Sequence, residues 1–319
     1  MAELKNTFSW SFSAASDFEE CRRKRYWGKY AMWGGWSKNA SPLQRTAYRL
    51  NKMDNRYSLM GRATEDAVMW ALRKAQAGGA PTVEEAYEAA ARPMLNRAWK
   101  ESKSGQWEQD PKRVCCLWEH YYGGAKGESK EWVEPVIEQT RTCIGNFLDR
   151  VLPRLAEVRP EQEVHIASPE SGGEPECFEF EGIKIYAIPD YVYRLGDVWH
   201  IHDWKAGKAK PEHKDQLALY GLWAHTKHGI EAGKIMVFLE YLRDGVMAYE
   251  QVTEDMLEAA RESVKMSVTD MADFLVDEDI QRNQALPKED WDLALEPRSC
   301  RMCKFYELCE PELGQGKPQ

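Results

Sequence analysis

The sequence predicts an α/β fold, a mixed central sheet flanked by helices with a helical insertion. Three observations carry this expectation. From Glu161 to Val252 short runs of β-branched and aromatic residues alternate with turn residues, as strands do. Upstream, apolar side chains recur at helical spacing through most of the chain to Leu155. Downstream, Thr253 followed by acidic residues opens a further amphipathic helix, expected to run to Asp277.

Taken in order, the chain opens with the serine-rich stretch FSWSFSAASDFEEC. Ser13 or Ser16 can cap a helix there, and Ser16 with Glu19 fits a capping box, so Phe18, Cys21 and Arg25 are expected on neighbouring turns. Gly34-Gly35 and Ser41-Pro42 mark loops, and a second helix begins near Pro42. LMGRATEDAVMWALRKAQAGG is an amphipathic helix stopped by Gly78-Gly79. Residues 80–157 read as almost wholly helical, with one helix opened by Pro81-Thr82 and another from Lys130 to Leu155. Strands are expected at 163–167 and at Cys177–Phe180, then in a hairpin, then at 234–242 and 245–252. Pro287 leads a loop to the last cysteines, and residues 314–319 read as a frayed tail.

The hairpin is the most informative stretch. Its strands are expected over Ile183–Arg194 and Val198–Trp204, joined by Gly196-Asp197, which suits a type II′ turn. Leu195 then faces Val198, and counting back along both strands sets Asp190 opposite Asp203. Directly opposed carboxylates have Cβ atoms about 5 Å apart and repel. A divalent cation between them relieves that repulsion. Lys205 lies two residues beyond Asp203 and shares its face. Pro189 can introduce a bulge and shift the register by one. His202 points away from Asp203, as does His200, so neither is expected as a ligand.

The order Pro189-Asp190, Asp203-Trp204-Lys205 and Gln216-Leu-Ala-Leu-Tyr220 resembles the PD-(D/E)XK nucleases, in particular the RecB-like branch, whose third motif is Q-x-x-x-Y. The resemblance implies a restriction-endonuclease-like core and metal-assisted hydrolysis of a phosphodiester. Asp190, Asp203, the backbone carbonyl of Trp204 and Glu65 would hold Mg2+ or Mn2+, and Lys205 would position water and stabilise developing charge. Gln216 and Tyr220, one helical turn apart, would contact substrate or orient Lys205. Glu65 stands where the family's G-x-x-x-H pattern, beginning here at Gly61, usually carries His. Carboxylate is a sound ligand for a hard cation. Asp66, one residue on, is expected to point elsewhere.

The eight cysteines fall at 21, 115, 116, 143, 177, 300, 303 and 309. Without a secretory signal they read as reduced thiols or metal ligands. Cys115, Cys116 and Cys143 lack ligand spacing and read as core or surface thiols. Cys300, Cys303 and Cys309, joined by Cys21, resemble the iron–sulfur branch of RecB-like nucleases, which includes the CRISPR-adaptation Cas nucleases, AddB subunits and exonuclease V. There such a set holds a [4Fe-4S] cluster and staples the chain ends. Zinc competes for four thiolates, and Arg22 stands where the family often has Pro. In this reading residues 1–319 form a single nuclease domain, 80–157 are an insertion outside the resemblance, and the segment 296–312 joins Cys21.

A net charge of −9 argues against a general nucleic-acid binder. Local basic clusters keep a DNA partner open, with Arg22, Arg23, Arg25, Lys208, Gln216 and Tyr220 as candidate contacts. No apolar run approaches the ~18 residues of a membrane span, and MAELKNTFSW has no signal-peptide pattern, so a cytoplasmic or nucleoid-associated protein is expected. The expected function is a metal-dependent DNA exonuclease preferring single-stranded ends. The alternatives are a non-catalytic DNA-end binder, or a nuclease subunit active only within a helicase, integrase or recombination assembly. No G-x-x-x-x-G-K-[ST] motif occurs, so ATP-driven unwinding would come from another chain. Phage recombination, repair and CRISPR adaptation are all compatible settings.

Overall fold

The computed structural model describes residues 5–129, 131–164 and 175–313. Of the expected elements, most of the strand at 163–167, the helix start at Lys130 and the tail 314–319 lie outside these residues.

The α/β class holds, but the strands form two mixed sheets instead of one. In the smaller sheet, β1 (Trp10–Ser11) pairs parallel to β3 (Ile183–Tyr186), which pairs antiparallel to β2 (Cys177–Phe180). Positive φ at both Glu181 (49°) and Gly182 (75°) makes the tight turn between β2 and β3. In the larger sheet, β4 (Tyr191–Leu195), β5 (Val198–Lys205), β6 (Ile235–Tyr241) and β7 (Val246–Gln251) lie in that order, with β5 and β6 parallel.

The continuous strand expected over Ile183–Arg194 is therefore broken. Pro189 has no N–H to give a ladder, and residues 187–190 pass from one sheet to the other. Beyond this break the expected register holds: Leu195 pairs with Val198, and Tyr191 with His202. Gly196 at the turn has φ +62°, and Asp197 is not in the positive-φ region, as a II′ turn requires.

β5 reaches β6 through helix His213–His228, whose residues from Leu217 to Ala224 are buried almost all round. Such a helix must be enclosed, and it packs on β2, β6 and helix Glu254–Ala272. That last helix is capped by Thr253 but stops before the expected Asp277, because Asp277 and Glu278 take positive φ and the chain turns back to bridge Leu275 with Ala285.

The other face of the larger sheet meets the helical part. Helix Arg56–Gln76 packs on Val133–Asn146, which continues in wider turns through Phe147–Val151, and their core takes in Tyr191, Tyr193, Trp204 and Leu242. Residues 80–157 are less uniformly helical than expected. Helix Arg92–Ser104 ends at Gly105 with φ +71°, and an irregular stretch follows to Leu117.

At the N-terminus the cap is Ser11, not Ser13 or Ser16, and its Oγ accepts the N–H of Ala14. The helix Phe12–Glu20 ends before Cys21, which is extended and caps a separate turn Arg22–Arg25 through Lys24 N–H to Sγ, 3.4 Å. Arg23 is buried. Its Nε donates to the Trp291 carbonyl (2.7 Å) and its Nη1 pairs with Glu312 (2.9 Å). This arginine ties the first helices to the last described residues.

Arg23→Ala removes charged hydrogen bonds worth about 1.5–3 kcal/mol each. We expect a loss of about 2–3 kcal/mol in urea unfolding, read as a lower midpoint with an unchanged slope. A midpoint equal to wild type would show that the tie contributes nothing.

Candidate active site

The hairpin delivers Asp190 and Asp203 to one end of the larger sheet. Asp203 sits near the end of β5, only 2% exposed. The ladder slips at Asp190, whose N–H donates to the His202 carbonyl (3.2 Å) already opposite Tyr191. This is the one-residue shift that Pro189 makes possible, so Asp190 is offset from direct opposition to Asp203. Its Oδ2 instead accepts the Trp204 N–H at 2.6 Å. In a strand a residue's N–H and C=O point to the same side, so the Trp204 carbonyl faces the edge where Asp190 lies.

Around Asp203 the polar groups close into a ring. Lys205 Nζ lies 2.6 Å from Asp203 Oδ2 and donates to Gln216 Oε1 at 2.8 Å. Gln216 Nε2 donates to the Tyr220 hydroxyl (2.8 Å), and that hydroxyl donates to Asp203 Oδ1 (2.9 Å), with the Ile188 carbonyl at 3.2 Å. The one-turn spacing of Gln216 and Tyr220 on helix His213–His228 makes the closure possible.

Burial, then the charges of Asp203 and Glu65, hold the Asp190 carboxyl well above the usual carboxylate range, against the Trp204 N–H and Lys205. Burial and the same two aspartates push the Tyr220 phenol up, keeping it a neutral donor. Asp203 Oδ2 touches Lys205 but lies out of hydrogen-bonding alignment, a buried carboxylate oxygen with no hydrogen bond. A buried carboxylate oxygen that lacks an aligned hydrogen bond and lies near two further carboxylates suits a hard divalent cation.

Glu65 lies on the exposed face of helix Arg56–Gln76 and lines, with Asp190, a cleft of about 1010 Å³. Asp66, expected to point elsewhere, lines the same cleft, because positions 62, 65, 66, 69 and 73 share one helical face. Even so, among the described residues no group of three or more His, Cys, Asp or Glu side chains is arranged as it stands to hold a metal ion.

The candidate nucleic-acid contacts divide. Lys208 is exposed in the loop after β5. Arg22 is turned back on Phe18, its guanidinium 3.9 Å from the ring centroid and its Nη1 on the carbonyl. Arg25 donates to the Ser9 carbonyl (3.4 Å). Arg23 leaves the surface set, because its guanidinium is buried on Glu312 and Trp291. Tyr220 leaves it too: 2% exposed, its hydroxyl serves Asp203. Gln216 is half-buried beside Lys205. On the reverse face of β5, buried His202 meets Glu240 (Nδ1 to Oε1, 3.2 Å), which Arg154 pairs at 2.8 Å. His202 does face away from Asp203, as strand alternation predicts, but the sequence carried no signal for its distant partners Glu240 and Arg154.

At the chain ends Cys21, Cys300, Cys303 and Cys309 line one small cavity with Lys24 and Trp27. Trp27 Nε1 donates to Cys309 Sγ at 3.2 Å. Burial pushes the Cys303 thiol up to about 12 and that of Cys309 up to about 11. The four thiols share this cavity without being arranged as they stand to hold a metal ion, although thiolate sulfur is the donor type that zinc or an iron–sulfur cluster takes. Cys143 is a core thiol, buried against the Ala206 carbonyl.

Fold and site together define an α/β protein with an acid–lysine centre where a hairpin leaves its sheet. Residues 9–310 match the PD-(D/E)XK nuclease superfamily, and the chain belongs to it. No curated protein matches the chain. No helix among the described residues is long and apolar enough to cross a membrane.

A carboxyl whose pKa is raised on folding stabilises the native state below its unfolded value of about 3.9, and that contribution is lost as pH rises toward the folded value. The metal-free protein should therefore lose stability through Asp190 as pH climbs from about 4 toward neutrality. Asp190→Asn should flatten this slope and raise the melting temperature at pH 7.5. Mn2+ should stabilise the wild type, by about 2.7 kcal/mol at a hundredfold excess over Kd, and leave the variant unmoved. An unchanged pH slope in Asp190→Asn would contradict the assignment.

Proposed function

We propose that the protein is a metal-dependent deoxyribonuclease of the RecB-like branch, an exonuclease acting on single-stranded ends. The observation that carries the reading is the closed ring Lys205–Asp203–Tyr220–Gln216 set against Asp190. It accounts for each polar residue of the three motifs.

Asp190, Asp203, the Trp204 carbonyl and Glu65 would hold Mg2+ or Mn2+. When bound, such an ion lowers the pKa of water and screens the phosphate. The ring does the rest. Tyr220 and Gln216 leave Asp203 and Lys205 little rotamer freedom, so the ammonium is fixed before substrate arrives. An ammonium fixed in a poorly solvated site stabilises charge developing on phosphate oxygen without reorganising. Asp190, held by the Trp204 N–H, is the second anchor.

In this reading Cys21, Cys300, Cys303 and Cys309, which line one cavity, would hold a [4Fe-4S] cluster, with zinc as the competing occupant, because four thiolates suit either. Its role would be structural, joining Cys21 to the segment 296–312. Residues 1–319 would act as one nuclease domain, with 80–157 as its insertion.

Anaerobically purified protein is expected to degrade end-labelled single-stranded DNA with Mn2+ or Mg2+ to short products and to leave circular single strands intact. Lys205→Ala should slow this about 10²–10³-fold, and Asp203→Ala should reduce it to background. Fragments from circular DNA would replace the exonuclease reading with an endonuclease. Absence of any cleavage by folded wild type would favour a DNA-end binder or a partner-dependent subunit.

Visible absorption near about 400 nm is the expected signature of the cluster. It should be lost in Cys303→Ser, together with a fall in melting temperature. A colourless protein holding one zinc would sink the iron–sulfur assignment alone.

A further inference from the structure

The cleft beside Asp190 is lined by cations as well as carboxylates. Its basic residues fall into two kinds. Arg62 and Arg73 are committed to Asp54 and Glu163, and Arg97 and Arg113 pair more loosely with Glu101 and Asp110, each at 3.9 Å. Lys52, at the end of helix Pro42–Asn51, and Lys112, in the irregular stretch after Arg92–Ser104, are both exposed. Among the described residues no carboxylate pairs with either. Both line the cleft wall, and partial burial together with the Lys112 charge pushes the Lys52 ammonium down. Glu101, which lines the same cleft, is engaged by Arg97 (3.9 Å) and by the Cys115 N–H (2.8 Å to Oε2).

Cations that line one cleft without a carboxylate partner suit an anionic ligand there. The cleft walls add a second requirement. Met69 on helix Arg56–Gln76 and Met94 on helix Arg92–Ser104 are half-buried and line the same space. A channel with cations along one part and soft apolar side chains along another suits a ligand with both phosphates and accessible base faces. A single strand offers both, whereas a duplex stacks its base faces away.

We propose that Lys52 and Lys112 grip phosphates of a single nucleic-acid strand leading to Asp190 and Asp203, with Met69 and Met94 receiving its bases. The proposal rests on the nuclease reading and assigns the helical block a substrate-holding part in it. The clamp is made jointly: Lys112 comes from the block, Lys52 from outside it.

The test is Lys52→Gln/Lys112→Gln beside a charge-matched control, Lys38→Gln/Lys100→Gln, whose exposed lysines lie outside the cleft. Binding of a labelled single-stranded oligonucleotide is followed by anisotropy across a salt series without added metal, and cleavage is followed with Mn2+. The cleft variant should bind about tenfold more weakly at 0.1 M salt, and its slope of log K against log salt should fall by about 1.4, roughly 0.7 for each phosphate that is no longer neutralised. Its KM should rise while kcat at saturation stays within about twofold, and the control should match wild type. Each single variant should show about half the change in slope. If wild type binds and cuts but the cleft variant keeps its affinity and slope, the clamp is wrong and the nuclease stands. Wild type that neither binds nor cuts overturns both. Equal losses on duplex and single strand would overturn the single-strand assignment.

Discussion

Everything at the candidate site depends on keeping the Asp203 carboxylate out of water. An ionised carboxylate in so enclosed a place is costly unless charge and hydrogen bonds surround it. Lys205 supplies the charge, Tyr220 the hydrogen bond, and Gln216 couples the two. The helix that carries Gln216 and Tyr220 can reach the strand end because its buried residues fix it between the two sheets. Packing of the helix and polarity of the site are thus one arrangement: the apolar positions decide where the helix lies, and that decides whether the ring closes.

Much of this was legible in the sequence because it rests on short-range geometry. Strand alternation put Asp203 and Lys205 on one face, and the turn at Gly196-Asp197 fixed the register from Leu195 to Tyr191. Helical spacing put Gln216 beneath Tyr220. What escaped the sequence depends on where the chain travels between elements. Pro189 announced a possible slip but not that residues 187–190 cross between sheets. Arg23 looked like one member of a basic cluster, yet its fate is decided by Trp291 and Glu312, more than 250 residues away. Asp66 was misjudged for a different reason. It was contrasted with Glu65, although a helical face is wide enough to carry neighbouring positions into one cleft.

The basic residues teach the same lesson. The clustered cations at Arg22–Arg25 draw attention as a run, but the fold turns most of them inward or onto local carbonyls. Lys52 and Lys112 stand sixty residues apart without any motif and converge only through tertiary packing. Runs of like charge report local solvation, whereas a groove is assembled from scattered positions.

The reverse face of β5 carries a further consequence. Asp203 looks toward the ring, while His202, one residue back, looks the opposite way to Glu240 and Arg154. Arg154 belongs to the helical block that also presents Lys112 and Arg97 to the cleft. The strand is therefore gripped from behind by the body that forms the cleft's outer wall, with Phe147 edge-on to Trp204 at 5.5 Å between ring centroids. The position of the helical body, and with it one wall of the cleft, thereby rests in part on apolar contacts behind the strand. Altering the volume of one of those rings would regauge the passage without touching any polar atom that meets substrate.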